Sequence, residues 1–189
     1  MRFTFLNIVL ALCVFFGCNS TINEQVVNVL DINLTLDNGV LFYNKSPFNG
    51  IIMSSYDSGV IKSKVEYIEG RKDGSEIQWY ENGSKLMERF YAKGFKVGIH
   101  KAWWENGNLK FEYHFNNEGK YNGSMKEWYQ SGQPLRAFNY KNGKEDGAQR
   151  LWKPDGQIKA NYQVIKGERF GLIGLKKCYT VTVNNDEVK

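Results

Sequence analysis

The chain is poor in the residues that staple or punctuate most folds. Its 189 residues include three cysteines, three prolines and two histidines. Three cysteines are too few for a disulfide framework. The two histidines, His100 and His114, fall in no H-E-x-x-H or similar metal-binding spacing, and a repeat-specific substitution on a strand accounts for each. No G-x-S-x-G stands on a strand-to-helix turn, and the carboxylates lie in turns or solvated positions without a repeated pairing. These gaps predict a protein that is not an enzyme, with no catalytic residue, no metal and no cofactor. Amphipathic helical runs are missing as well. The formal charge is only +5, and its lysines and arginines are scattered. Nucleic-acid binding calls for a concentrated basic stripe, so no such partner is expected.

What the chain does hold is glycine and aromatic side chains, and both recur at fixed intervals. Gly50, Gly74, Gly98, Gly123, Gly147 and Gly171 are separated by steps of 24, 24, 25, 24 and 24 residues. Two further columns keep the same rhythm: Gly59, Gly83, Gly107, Gly132 and Gly156, then Gly70, Gly94, Gly119, Gly143 and Gly167. Self-similarity at a period of this size marks a repeat architecture. Each unit reads as two strands and two turns. In the third unit the strands are expected over Ile99 to Glu105 and Leu109 to Phe115, joined by a two-residue turn at Asn106-Gly107. The second turn, as in Lys93 to Gly98, is expected to be the longer one. Consecutive strands joined by tight turns are antiparallel neighbours. The predicted fold is all-β: an elongated single antiparallel meander sheet of about five 24-residue β-hairpin repeats.

The ends differ from the middle. Phe3 to Phe16 is apolar apart from Thr4 and Asn7, and is too short for a bilayer span of roughly 20 residues. With Arg2 before it and Gly17-Cys18 after it, residues 1–17 read as a signal peptide. Residues 18–25 read as a polar tether. Over residues 26–48, Leu30, Ile32, Leu34 and Leu36 alternate with polar residues, and Asn38-Gly39 precedes the apolar run Val40 to Tyr43. Alternation followed by Asn-Gly signals a hairpin, here expected to cap the array. The repeats fill 49–178, with a last strand expected at 172–177 and an edge blunted by Lys176 and Lys177. Residues 179–189 are a tail. Cys178, beside those lysines, reads as a small residue of the terminal half-unit.

Side-chain alternation divides the aromatics between two faces. Tyr56, Tyr80, Trp104 and Tyr129 are expected on the packed face, together with Leu109, Phe111, Tyr113 and Phe115. Trp79, Trp103, Trp128 and Trp152 are expected on the reverse, among Lys110, Glu112, Lys126, Lys159 and Asn161. That tryptophan column would run about 30 Å at the normal strand spacing. It can serve as cover for a thin sheet, or as a contact surface for an extended chain or glycan.

Two resemblances bear on these readings. Phe15-Phe16-Gly17-Cys18 resembles the lipobox of bacterial lipoproteins, although phenylalanine occupies two of its positions. It implies lipidation of Cys18, a membrane attachment through that lipid and a place in the cell envelope, the outer membrane being expected. The pattern of paired aromatics, two residues, glycine, a strand and a Gly-x-x-x-Gly turn resembles the MORN repeat variant of YwqK-type antitoxins. It departs at Ser55 and Lys153, where the other units carry Trp or Tyr. The likeness implies a curved antiparallel sheet without catalytic residues. The function expected is a lipid-anchored scaffold that binds a protein or polysaccharide. The alternative, implied by the family label, is an antitoxin or immunity protein that neutralises a partner toxin.

Overall fold

The computed structural model describes residues 25–174. Among them the chain forms sixteen strands and no helix. At the N-terminal end lie β1 (Val26–Asn28), β2 (Leu34–Asp37), β3 (Val40–Tyr43) and β4 (Ser46–Pro47). The repeats follow as β5 (Gly50–Ser55), β6 (Ile61–Ile68), β7 (Arg71–Trp79), β8 (Lys85–Ala92), β9 (Phe95–Trp103) and β10 (Leu109–Phe115). They continue through β11 (Tyr121–Trp128), β12 (Pro134–Lys141), β13 (Lys144–Glu145), β14 (Gly147–Trp152), β15 (Ile158–Ile165) and β16 (Glu168–Leu172). From β5 to β16 each strand lies beside its sequence neighbours in antiparallel order, with the short β13 set off at the edge of β12.

The N-terminal region corrects the expectation of one purely antiparallel sheet. β1 pairs parallel to β5, with Val26 opposite Ile51. β2, β3 and β4 make a separate three-stranded sheet beside the 13-stranded one. The Asn38-Gly39 hairpin forms as expected, both residues at positive φ (46° and 77°). The strand leading into it, however, starts only at Leu34. Asn28 Oδ1 accepts a bond from Leu30 N at 2.9 Å, and Asp31 Oδ1 accepts one from Asn33 N at 2.9 Å. Short polar side chains that capture nearby backbone N–H groups compete with a strand ladder, and here they turn the chain before the alternation at Leu30 and Ile32 can pair.

Except at the second turn of the third unit, the two turns of a repeat are the reverse of the expected lengths. Ala92 pairs with Phe95, leaving Lys93 and Gly94 as a two-residue turn with φ of 50° and 86°. Positive φ at both positions matches the right-handed twist of the strands it joins. The Asn106-Gly107 turn is the longer one. Gly107 N donates to Trp104 O, and Trp104 N to Asn108 O, both at 2.8 Å. Only Gly107, at φ 85°, is left-handed. A type I turn closed by a left-handed glycine needs one more residue, so β9 ends at Trp103 instead of Glu105. The extra residue of the third unit falls in the Asn116–Lys120 loop, which closes in the same way.

The opening glycines and one aromatic column prove to be the same feature. Gly50 pairs with Tyr67, Gly74 with Tyr91, Gly98 with Phe115 and Gly123 with Tyr140. A glycine in a strand weakens it, and a large ring directly opposite restores packing at that point. The small sheet packs on the first repeat through Val27, Phe48 and Ile52, with Leu34, Leu41, Tyr43 and Tyr67 around them. At the far end Ala160, Tyr162 and Val164 form a second cluster with Leu151. The last described strand is β16, all of it exposed; of the expected strand at 172–177, residues 175–177 lie outside the described residues. Cys18, Lys176, Lys177 and Cys178 lie outside the described residues.

Candidate functional site

Trp79, Trp103, Trp128 and Trp152 are the last residues of β7, β9, β11 and β14. Each is half-buried. Their carbonyls are held by the next-door aromatic column. Tyr56 donates its hydroxyl to Trp79 O at 2.9 Å, Tyr80 to Trp103 O at 2.9 Å and Tyr129 to Trp152 O at 3.0 Å. Trp104 takes the same role through Nε1, which lies 3.2 Å from Trp128 O. Each bond runs from one repeat to the next, so the tryptophan backbones are spaced by the fold itself.

Two contacts place Trp79 and Trp103 on one side. Lys85 pairs directly with Trp79, and directly paired residues share a face. Its Nζ stands 5.6 Å from the centre of the Trp103 ring and 3.1 Å from Glu88. Charges fill the same face, where Lys101 meets Glu112 at 3.3 Å. The expected faces need correction at Leu109 and Lys110. Leu109 pairs with Trp103, and the register then slips by one before Phe111 pairs with Ala102. This slip turns Lys110 away from Trp103 and sets its Nζ 4.3 Å over the ring of Trp104. A bulge reverses the alternation on which a face assignment from sequence depends.

The opposite face is organised by a column of buried side chains at equivalent repeat positions: Ile52, Glu76, His100, Met125 and Gln149. The three polar members are paired. Glu76 accepts from Lys72 at 2.7 Å and from Gln78 at 2.9 Å. Burial pushes its carboxyl up, but Lys72, Tyr91 and Arg89 outweigh this and hold it below its ordinary value. The same carboxylate, together with burial, pushes the Tyr91 hydroxyl up to about 12. His100 Nε2 lies 2.8 Å from Phe90 O and 3.2 Å from Phe90 N, at the point where the β8–β9 register slips. Burial pushes its pKa down, which favours the neutral ring. Gln149 meets Asn139 in the same way, accepting from its N at 3.1 Å and donating to its O at 2.8 Å.

His100 is thus a packing residue that fills a gap in the ladder between Tyr91 and Phe115, with ring centres 5.7 and 4.6 Å away. His114 contacts Glu112 at 3.1 Å, and that hydrogen bond is the main cause lowering the Glu112 carboxyl. The two histidines are not brought together in one site. Among the described residues no cluster of three or more His, Cys, Asp or Glu is placed to hold a metal.

One concavity was not foreseen. A groove of about 250 Å³ between the third and fourth repeats is lined by Trp104, Lys110, Phe111, Tyr113, Glu127, Trp128 and Leu135, so that Trp128 of the tryptophan column opens onto it. Phe111 and Tyr113 stack at 4.3 Å, and Tyr113 donates to Glu127 at 2.6 Å. Its signal in the sequence was local departure from the repeat: Trp104 stands where the neighbouring units carry Tyr80 and Tyr129.

Residues 72–93, 96–117 and 121–142 each match the MORN repeat variant. These three segments are MORN repeat variants. Each match covers most or all of one odd strand, which ends in Trp, the turn after it and the returning strand. The two flanking MORN-like units, outside the matches, are the ones that depart at Ser55 and Lys153. No curated protein matches the chain.

Proposed function

We propose that this protein is a non-enzymatic scaffold of the bacterial cell envelope, anchored through a lipid on Cys18, that holds a protein or polysaccharide along its MORN-variant sheet. The observation that carries the reading is the tryptophan column. Four indoles at equivalent repeat positions stand half-exposed, Trp79 and Trp103 on one face among paired lysines and glutamates, with the spacing of all four fixed by hydrogen bonds between repeats. A row of flat aromatic surfaces at regular intervals suits a partner that is itself extended, and aromatic side chains are the usual anchors of an interface. The lattice of ion pairs between the indoles keeps the face soluble while it is unoccupied.

The test is titration of the protein with soluble peptidoglycan fragments and, separately, with solubilised envelope proteins, followed by tryptophan fluorescence. The expected result is a saturable shift with one of the two, lost in the W103A/W128A double variant while its thermal melt stays cooperative. Binding that survives the double substitution would remove the tryptophan column from the reading. Absence of a shift with either would leave the array a spacer.

A further inference from the structure

Among the described residues the least sheltered apolar side chains lie in the turn that leads into the small sheet and on its first strand. Leu30 is 88%, Ile32 93% and Leu36 73% exposed, whereas no exposed aliphatic of the repeats exceeds Ile165 at 56%. The turn is braced. Asp31 N donates to Asn28 O at 3.0 Å and Leu34 N to Asp31 O at 3.1 Å. The Asp31 carboxylate accepts from Asn33 N and Nδ2 at 2.9 and 3.0 Å and from the Tyr43 hydroxyl at 3.4 Å. These bonds turn the one acidic group of the turn inward and hold Leu30 and Ile32 outward. Below them Val29, Leu34, Leu36 and Leu41 line an apolar hollow of about 240 Å³. Ile32 shares a second hollow with Lys45.

We propose that this turn is a lipid-contacting tip, inserted among the headgroups and upper acyl chains of the membrane that carries the anchor. The proposal rests on the reading of Cys18 as lipidated. Two observations favour a bilayer over a protein as the occupant. The first is reach. Gln25 lies seven positions after Cys18, so at about 3.5 Å per step the tether spans at most about 25 Å. Leu30 follows only five residues later. The second is composition. Protein contact sites concentrate their energy in Trp, Tyr and Arg, with Leu and Val under-represented. The exposed apolar residues here are Val29, Leu30 and Ile32 of the turn and Leu36 of β2, branched hydrocarbon without a ring. Lys45 beside Ile32 supplies a cation at the depth where lipid phosphates lie. Such a tip holds the capped end of the sheet against the bilayer and leaves the tryptophan face free for its partner.

The test uses the full chain with its native N-terminus, matured in a bacterial host and reconstituted into phosphatidylethanolamine–phosphatidylglycerol vesicles. A Leu30→Trp variant is compared with wild type, whose five tryptophans give the background, in vesicles with and without brominated acyl chains. The expected result is an added blue-shifted emission in Leu30→Trp, quenched at least about twofold by bromine, and lost when Ile32→Asp is added. Both positions are solvent-facing, so thermal melts of the variants should match wild type. Protein that floats with the vesicles but shows no added quenching overturns the tip and leaves the anchor standing; the patch then belongs to a protein partner. Protein that does not float overturns the anchor, and the tip with it.

Discussion

His100 and Gln149 occupy equivalent positions in their repeats and solve one problem with different chemistry. Where a strand register slips, a backbone N–H and C=O face inward without ladder partners, and a buried polar group left unpaired costs about 1–3 kcal/mol. Gln149 carries a donor and an acceptor and satisfies both groups of Asn139. His100 offers Phe90 only Nε2, which in a given tautomer serves one of them. His100→Gln is therefore expected to keep or raise stability, while His100→Ala is expected to cost about 2–4 kcal/mol, from the lost contacts and the exposed gap. The two substitutions also separate in pH. The His100 pKa is lowered by burial from its ordinary 6.5, so the unfolded chain takes up the proton first. Its contribution is fully present above about pH 6.5 and is lost as pH falls from there through the lower folded value. Urea denaturation at pH 7.5 and pH 5 should show a decline in wild type that is smaller in His100→Gln.

At the scale of the hairpin, the two turns of a repeat make opposite demands. Lys93 sits at φ 50° as the first residue of a two-residue turn, a position that suits Asn or Asp better than lysine. Lys93→Asn is expected to stabilise by about 0.5 kcal/mol, seen as a small rise in the melting temperature. Gly107 makes the converse case. Its φ is 85°, with nothing within 4 Å of the place a Cβ would take, so a substitution there meets backbone strain alone. Gly107→Val should cost more than Gly107→Ala, because a branched Cβ resists that conformation most. Equal melts for the two would show that the left-handed turn is not retained. The hairpins themselves were legible in the sequence because glycine spacing reports where the chain must bend. Which turn was short was not, because Asn-Gly occurs in both turn types and only the φ of the asparagine distinguishes them.

At the scale of the molecule, the repeats join a small sheet of different construction, and one glycine makes the junction. Gly70 N donates to Phe48 O and Gly70 O accepts from Leu41 N, both at 2.8 Å. A Cβ on Gly70 would fall 2.4 Å from Leu41 O and 2.5 Å from Val40 Cγ1. Gly94, its equivalent one repeat later, has its nearest neighbour, Arg71 Cβ, at 3.9 Å. Gly94→Ala should cost about 1 kcal/mol for the left-handed backbone. Gly70→Ala should add about 1–3 kcal/mol of overpacking to that. The excess should appear as faster hydrogen exchange over 34–47 with the central repeats still protected, because contacts in a repeat array are with nearest neighbours. Uniform loss of protection would show that the small sheet and the repeats unfold as one.

The sequence by itself determined the strand-and-turn rhythm, the order of neighbours and the equivalent repeat positions of the four tryptophans, because each follows from spacing along the chain. Tertiary structure decided what spacing cannot carry. The parallel docking of β1, the side on which Lys110 lies and the groove beside Trp104 all depend on a slipped register or on a partner distant in sequence. Period-two reasoning holds only while the ladder is unbroken, and this protein breaks it once in nearly every hairpin.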